Sequence, residues 1–221
     1  TRCCSSAASD VYKRQLYAYA PLLKQEEKKY ENFSKSIRRR AATIGGHNMD
    51  DYPLKMHVFN RARLIKNSKN RIPYGVDLIQ KYRRESWIVF TENKKQAKEF
   101  NKIINTKGFK SALYNTDLDS GERLENLNKF KKADLNVLVT CTALDEGFDM
   151  PEADGALILS ASSSKRQRVQ RMGRVLRITE NKPNALIVTV YSSKTEFDKL
   201  MEEAKRYHKE GVPVSWKRQD R

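Results

Sequence analysis

The sequence predicts an α/β fold: an open, mainly parallel sheet of five to six strands with helices on both faces, preceded by a helical segment. Three observations lead there. First, short apolar runs with little alternation occur at residues 87–91, 136–141, 156–160 and 185–190, with a weaker one at 111–114. Runs of this kind are strands buried on both faces, the signature of a parallel sheet covered by helices. Second, helical spacing separates them: Ala97, Phe100 and Ile104; Leu124, Leu127 and Phe130; Val169, Met172 and Leu176; Phe197, Leu200, Met201 and Ala204. Third, three of these helices have capping-box starts, at Asp119 with Glu122, Ser164 with Gln167 and Ser193 with Glu196. Strand and helix alternate along the chain, and ligands of such sheets gather at the carboxyl ends of the strands.

Upstream of Trp87 the pattern is helical. Residues 24–42 are charged and free of Gly and Pro, with Tyr30, Phe33 and Ile37 on one narrow stripe, and Arg38, Arg39 and Arg40 suit the end of a helix dipole. A loop follows at Gly45-Gly46 and Asp50-Asp51-Tyr52-Pro53, then helices over 54–67 and 76–82. We therefore divide the chain into residues 1–15, a 16–84 helical lead-in and linker, and an 85–221 α/β domain.

Composition narrows the partner. The chain has 221 residues and a formal charge of +17, from 44 Lys and Arg against 27 Asp and Glu. Such an excess of cations favours a polyanion such as nucleic acid. No run approaches the ~18 apolar residues of a membrane span, so no membrane partner is expected. Three cysteines, with no C-x-x-C or H-x-x-x-H spacing, offer neither a disulfide framework nor a metal site. His47, His57 and His208 have no triad-like company.

Residues 1–15 stand apart. Ser5 to Gln15 resembles the translation of a transposon-based sequencing adaptor, and this stretch is expected to be disordered and outside the fold. Without it the natural chain would begin mid-protein near Leu16, and Cys141 would be its one cysteine.

Two stretches carry candidate chemistry. In Gln167-Arg168-Val169-Gln170-Arg171-Met172-Gly173-Arg174-Val175-Leu176-Arg177, helical spacing puts Gln167, Gln170, Arg174 and Arg177 on one face and Val169, Met172 and Leu176 on another. Guanidinium groups offer bidentate donors to phosphate and keep their protons near neutrality, although a solvated basic helix has the same pattern. In the second, the strand ending at Cys141 runs into Thr142, then Gly147, Asp149 and Pro151. Gly147 permits close backbone approach to a ligand and Asp149 could accept from a ribose hydroxyl, while an ordinary strand-exit loop would look similar.

In order and with their intervening lengths, these stretches resemble a known family. Trp87-Ile88-Val89-Phe90-Thr91-Glu92-Asn93 is similar to motif IV of superfamily 2 helicases, Thr140 to Pro151 to motif V, and Gln167 to Arg177 to motif VI. The resemblance covers residues 16–190. It points to the C-terminal RecA-like motor domain of a DEAD/DEAH-like helicase of the restriction-enzyme and excision-repair type. It implies ATP with Mg2+ as cofactor, both held mainly by an N-terminal motor domain in cis, and nucleic acid as partner, DNA favoured over RNA. It assigns Arg174 as the arginine finger on the γ-phosphate, Arg177 as its second guanidinium, and Gln170 to the γ-phosphate or attacking water. Gly147, Asp149, Arg171 and Gln167 are implied on the ATP side. Thr91, Asn93, Cys141 and Thr142 are implied on the nucleic-acid side, although Cys141 stands where many relatives have Thr, so that Thr140 or Thr142 could donate instead. A cytoplasmic, microbial or viral setting goes with this reading.

No G-x-x-x-x-G-K-[ST] loop occurs in the sequence. Leu144-Asp145-Glu146-Gly147 lies beyond the strand end and inside motif V, so it is not read as a metal-binding acidic pair. The chain by itself is accordingly expected to be an inactive half of a motor. The alternative is a non-catalytic basic α/β module that binds nucleic acid or protein. A flavodoxin-like nucleotide-binding sheet is disfavoured by the motif order.

Overall fold

In the computed structural model, the structure describes residues 12–46, 48–141, 153–160 and 184–218. Among the described residues, seven strands form one sheet in the order β3-β4-β2-β5-β6-β1-β7, and all the neighbouring pairs are parallel. The strands are β1 (Tyr12–Tyr19), β2 (Trp87–Thr91), β3 (Ser111–Tyr114), β4 (Val137–Cys141), β5 (Gly155–Ile158), β6 (Asn184–Tyr191) and β7 (Val214–Arg218). The helices are α1 (Lys24–Thr43), α2 (Tyr52–Lys66), α3 (Arg71–Lys81), α4 (Lys94–Thr106), α5 (Ser120–Lys131) and α6 (Lys194–Lys209).

Every residue of β2, β4 and β5 is buried, as unalternating apolar runs require. Side chains then sort by pleat. Trp87, Val89, Val137, Val139 and Leu157 meet α3 and α4 on one face, through Ile72, Val76, Leu78, Ile79, Phe100 and Ile104. Ile88, Phe90, Leu138 and Ile158 meet Leu127 and Phe130 of α5 on the other. Gly155 has a specific reason to lack a side chain. A Cβ there would lie 2.5 Å from a ring carbon of Trp87, whose indole is fully buried.

Local chemistry sets the helix starts. The side chains of Asp51, Asn93, Asp119 and Ser193 accept from the backbone N–H groups of Leu54, Gln96, Glu122 and Glu196. These contacts satisfy donors that a helix start leaves open. The Asp119 and Ser193 caps match the expected capping boxes.

Three expectations need correction. The 16–84 segment is not a separate helical lead-in, because β1 lies inside the sheet between β6 and β7, and α3 belongs to the main core. Strand β1 alternates: Leu16 and Ala18 enter the α3/α4 core, while Tyr17 and Tyr19 join Tyr191, Phe197 and Leu200 on the opposite face. Leu16 to Ala20 is an unbroken apolar run that follows the polar residues Lys13, Arg14 and Gln15 of the same strand. Nor do residues 1–15 all fall outside the fold. Tyr12 to Gln15 pair with β6, Gln15 is buried, and its N–H donates to the Pro213 carbonyl at 2.9 Å. Backbone pairing is largely indifferent to side chains, so a polar stretch can enter a ladder already templated by a neighbour. The third correction is the strand count, raised by β1 and β7. Trp216 of β7 packs 4.7 Å from Tyr17 and 5.1 Å from Phe197 between ring centroids, which fixes β7 on the sheet.

Candidate functional site

The carboxyl ends of β2, β4, β5 and β6 hold a connected polar network. Strand order places β2 between β4 and β5. The stretch that resembles motif V therefore begins in the last two residues of β4, and the one that resembles motif VI comes later in the chain than the exit of β5. With strands about 4.8 Å apart, the two exits lie roughly 10 Å from each other on the same edge of the sheet.

Arg71, at the start of α3, is completely buried beneath this edge. Its Nε donates to the Ile65 carbonyl at 2.9 Å, and its Nη1 donates to the carbonyls of Leu159 at 2.6 Å and Val190 at 2.7 Å. Its Nη2 donates to both carboxylate oxygens of Glu196, at 2.8 and 2.6 Å. Glu196 also accepts from the Ser192 N–H at 2.8 Å. One guanidinium thus ties the end of α2, the exits of β5 and β6, and the start of α6. Guanidinium suits this position because its donors are spread around a rigid plane and its charge persists when buried.

A second set of contacts lies alongside. Glu92, just past β2, accepts from Lys66 Nζ at 3.1 Å and from Ser160 Oγ at 2.8 Å. Its N–H donates to Gln96 Oε1 at 2.9 Å, and Gln96 Nε2 donates to the Lys66 carbonyl at 2.9 Å. Ser160 is the last described residue after β5, and these bonds tie the exit of that strand to the turn after β2.

Of the nucleic-acid candidates, Thr91 and Cys141 are buried, and Thr91 Oγ1 donates to the carbonyls of Thr140 at 3.1 Å and Asn93 at 3.2 Å. Neither presents its side chain to solvent, because both sit on strands covered on two faces. Asn93 is half-buried and caps α4, its Oδ1 accepting from the Gln96 N–H at 3.0 Å and its Nδ2 donating to Asn67 Oδ1 at 2.6 Å. Thr142, Gly147, Asp149, Gln167, Gln170, Arg171, Arg174 and Arg177 lie outside the described residues. Among the described residues, no group of three or more His, Cys, Asp and Glu is placed to hold a metal, and no helix is long and apolar enough to cross a membrane.

Sequence reasoning missed Arg71, Glu92 and Lys66. Arg71 lies ahead of the expected start of its helix, and its carboxylate partner is 125 residues away. Only the Ser193–Glu196 box hinted at Glu196, and it suggested a cap rather than a buried ion pair. The lysines at the start of α4, Lys94, Lys95 and Lys98, form a largely solvated face. All three are exposed, and Lys94 and Lys98 pair with Asp117, whose carboxyl is held below its usual range chiefly by Lys94.

A parallel sheet covered by helices on both faces, with its polar network at the carboxyl ends of the strands, defines the class of open α/β domains that gather ligands on that edge. Residues 70–179 match the family described as helicase conserved C-terminal domain, and the chain belongs to the superfamily 2 helicases as a C-terminal RecA-like domain. The DNA 3'-5' translocase XPB2 of Sulfurisphaera tokodaii is 28% identical over 193 residues, 80% of this chain and 42% of that protein. The ATP-dependent RNA helicase DBP3 of Ajellomyces capsulatus is 28% identical over 166 residues, 72% of this chain and 32% of that protein. The C-terminal domain of the DEAD-box protein Dbp5 shares the fold, with a TM-score of 0.57 at 20% identity over 70% of this chain and 85% of its own. The chain spans less than half the length of these two sequence relatives.

Proposed function

We propose that this chain works as the C-terminal half of an ATP-dependent nucleic-acid helicase or translocase, supplying charge to ATP and Mg2+ held mainly by an N-terminal motor domain in cis. The observation that carries the reading is the strand order, which brings the exit of β4, where the motif V-like stretch begins, and the exit of β5, which precedes the motif VI-like stretch in the chain, onto one edge about 10 Å apart. Two relatives with ATP-driven or translocating activities in their names support it. In this reading Arg174 and Arg177 are the finger guanidiniums, Gln170 orients the attacking water or the γ-phosphate, and Gln167, Arg171, Gly147 and Asp149 complete the ATP side. Finger arginines stabilise charge on the transferred phosphoryl group, worth about 10³ to 10⁵ in rate. Arg71, Glu92 and Ser160 do not touch nucleotide. They hold the strand ends from which those groups are aimed.

Nucleic acid runs across the same edge, contacted by Asn93 and Thr142, with Thr91 and Cys141 shaping the strand ends from within. DNA is favoured because the more extensively aligned of the two relatives is named a DNA translocase. The chain alone, without a phosphate-binding loop, neither binds ATP tightly nor hydrolyses it.

The test joins this chain to a nucleotide-binding motor half and compares Arg174→Lys with the parent. Lysine keeps the charge and loses the fork, so turnover is expected to fall at least a hundredfold while ATP affinity changes little. Equal turnover would reject the finger assignment.

A further inference from the structure

Helices α1 and α2 form a hairpin whose inner face is well used. Ile37, Ala41, Leu54 and Ile65 are buried, Arg61 sits 5.7 Å over the Tyr30 ring and donates to Ser34 Oγ at 3.3 Å, and Phe33 faces His57. The turn between the helices is closed by Arg40, whose Nε and Nη2 donate to Asp51 at 2.6 to 3.2 Å.

The outer face of α2 is different. Tyr52 is 70% exposed and Phe59 is 52% exposed, and Lys55 and Arg63 are exposed beside them. At about 100° per residue, these four fall within an arc of roughly 80° on one side of the helix. Lys55 Nζ lies 5.9 Å from the centroid of the Phe59 ring. The surroundings are strongly basic, with eleven Lys and Arg against five Asp and Glu from Lys24 to Lys66.

We propose that Tyr52, Lys55, Phe59 and Arg63 form a second binding surface for single-stranded nucleic acid, apart from the strand-end track. Single strands are held by rings on which bases stack and by cations that neutralise the backbone, and this face alternates the two. Seven residues of helix separate the rings by about 10 Å, so each ring takes a base of its own. A duplex keeps its bases stacked and offers the rings no face. A protein partner fits less well, because the cores of protein interfaces are depleted in lysine. The surface is mounted firmly on the domain. Arg71 and Lys66 tie the end of α2 to the strand exits, and Glu26 of α1 accepts from the Lys69 N–H at 3.0 Å.

The proposal goes beyond the motor reading and does not need ATP. It is tested on the chain itself by fluorescence anisotropy with labelled 20-nucleotide oligo-dT and oligo-rU and a 20-base-pair duplex. Tyr52→Ala with Phe59→Ala should weaken binding of at least one single strand by about tenfold or more. Tyr52→Trp with Phe59→Trp should retain it, and the Leu pair should not. Lys55→Gln with Arg63→Gln should reduce the salt slope by about 1.4. All four positions are exposed, so an unchanged melting transition will show the variants folded. Single-strand affinity unchanged by the Ala pair, or equally good with the Leu pair, would overturn the proposal and leave the strand-end track standing. So would a loss on the duplex as large as on the single strands.

Discussion

Arg63 and Arg71 lie eight residues apart and do opposite things. Arg63 projects into solvent from the outer face of α2, whereas Arg71 is fully buried and donates to three carbonyls and a carboxylate. The same contrast separates the two regions they belong to. The strand-end network uses its ionic groups internally to fix geometry, and the hairpin face leaves its cations and rings exposed. Positive charge in this chain is therefore not one resource. Part of it is structural and insensitive to salt, and part is available to a partner and screened by salt.

The sharpest way to break this contrast is to remove one member of the buried pair. Arg71→Met leaves Glu196 charged and uncompensated, so unfolding should become easier by about 3–5 kcal/mol. Arg63→Met should stay within about 0.5 kcal/mol. Thermal melts of both variants decide it, and equal losses would erase the distinction. Adding Glu196→Leu to Arg71→Met should recover part of the loss, since no buried charge is then left alone.

Gly155→Ala should cost about 1–3 kcal/mol, because the new methyl meets an indole that has no room to move. The same melts check it. It calibrates what steric precision in the sheet is worth against the buried ion pair.

The smallest effect concerns acid. The Asp51 carboxyl is held below its usual range, first by its hydrogen bonds to Arg40 and then by the Leu54 N–H. A lowered folded value means that this stabilisation is present above the ordinary carboxylate pKa and lost as pH falls through the folded value. Asp51→Asn should therefore flatten the acid limb of a circular-dichroism titration of helix content below about pH 4. Above that range it should leave the Arg71–Glu196 network, and the melting of the sheet core, unaffected.

Much of this was legible beforehand. Trp87–Thr91 and Val137–Cys141 were readable because burial on both faces demands apolar runs, and half-buried Ser111–Tyr114 at the sheet edge gave a weaker signal. Helix α4 was readable because Ala97, Phe100 and Ile104 repeat at the helical period. β1 was not, since half of it is the polar stretch Tyr12 to Gln15, which enters the sheet by pairing with β6. Arg71 was not, because its partners come from α2, β5, β6 and α6. The exposed rings of Tyr52 and Phe59 could not be told from those of Tyr30 and Phe33, which sit on a similar helix and turn inward.

By itself, the amino-acid order determined the kind of fold and the order of its motif-like stretches. Hydrophobic period, capping residues and the arginine and glutamine row act over a few residues and are written locally. Only the tertiary structure decided that β2 lies between β4 and β5, that one arginine locks the strand exits, and that one face of α2 stays open. Those outcomes depend on which distant segments share space, because a guanidinium or a ring takes its role from its neighbours.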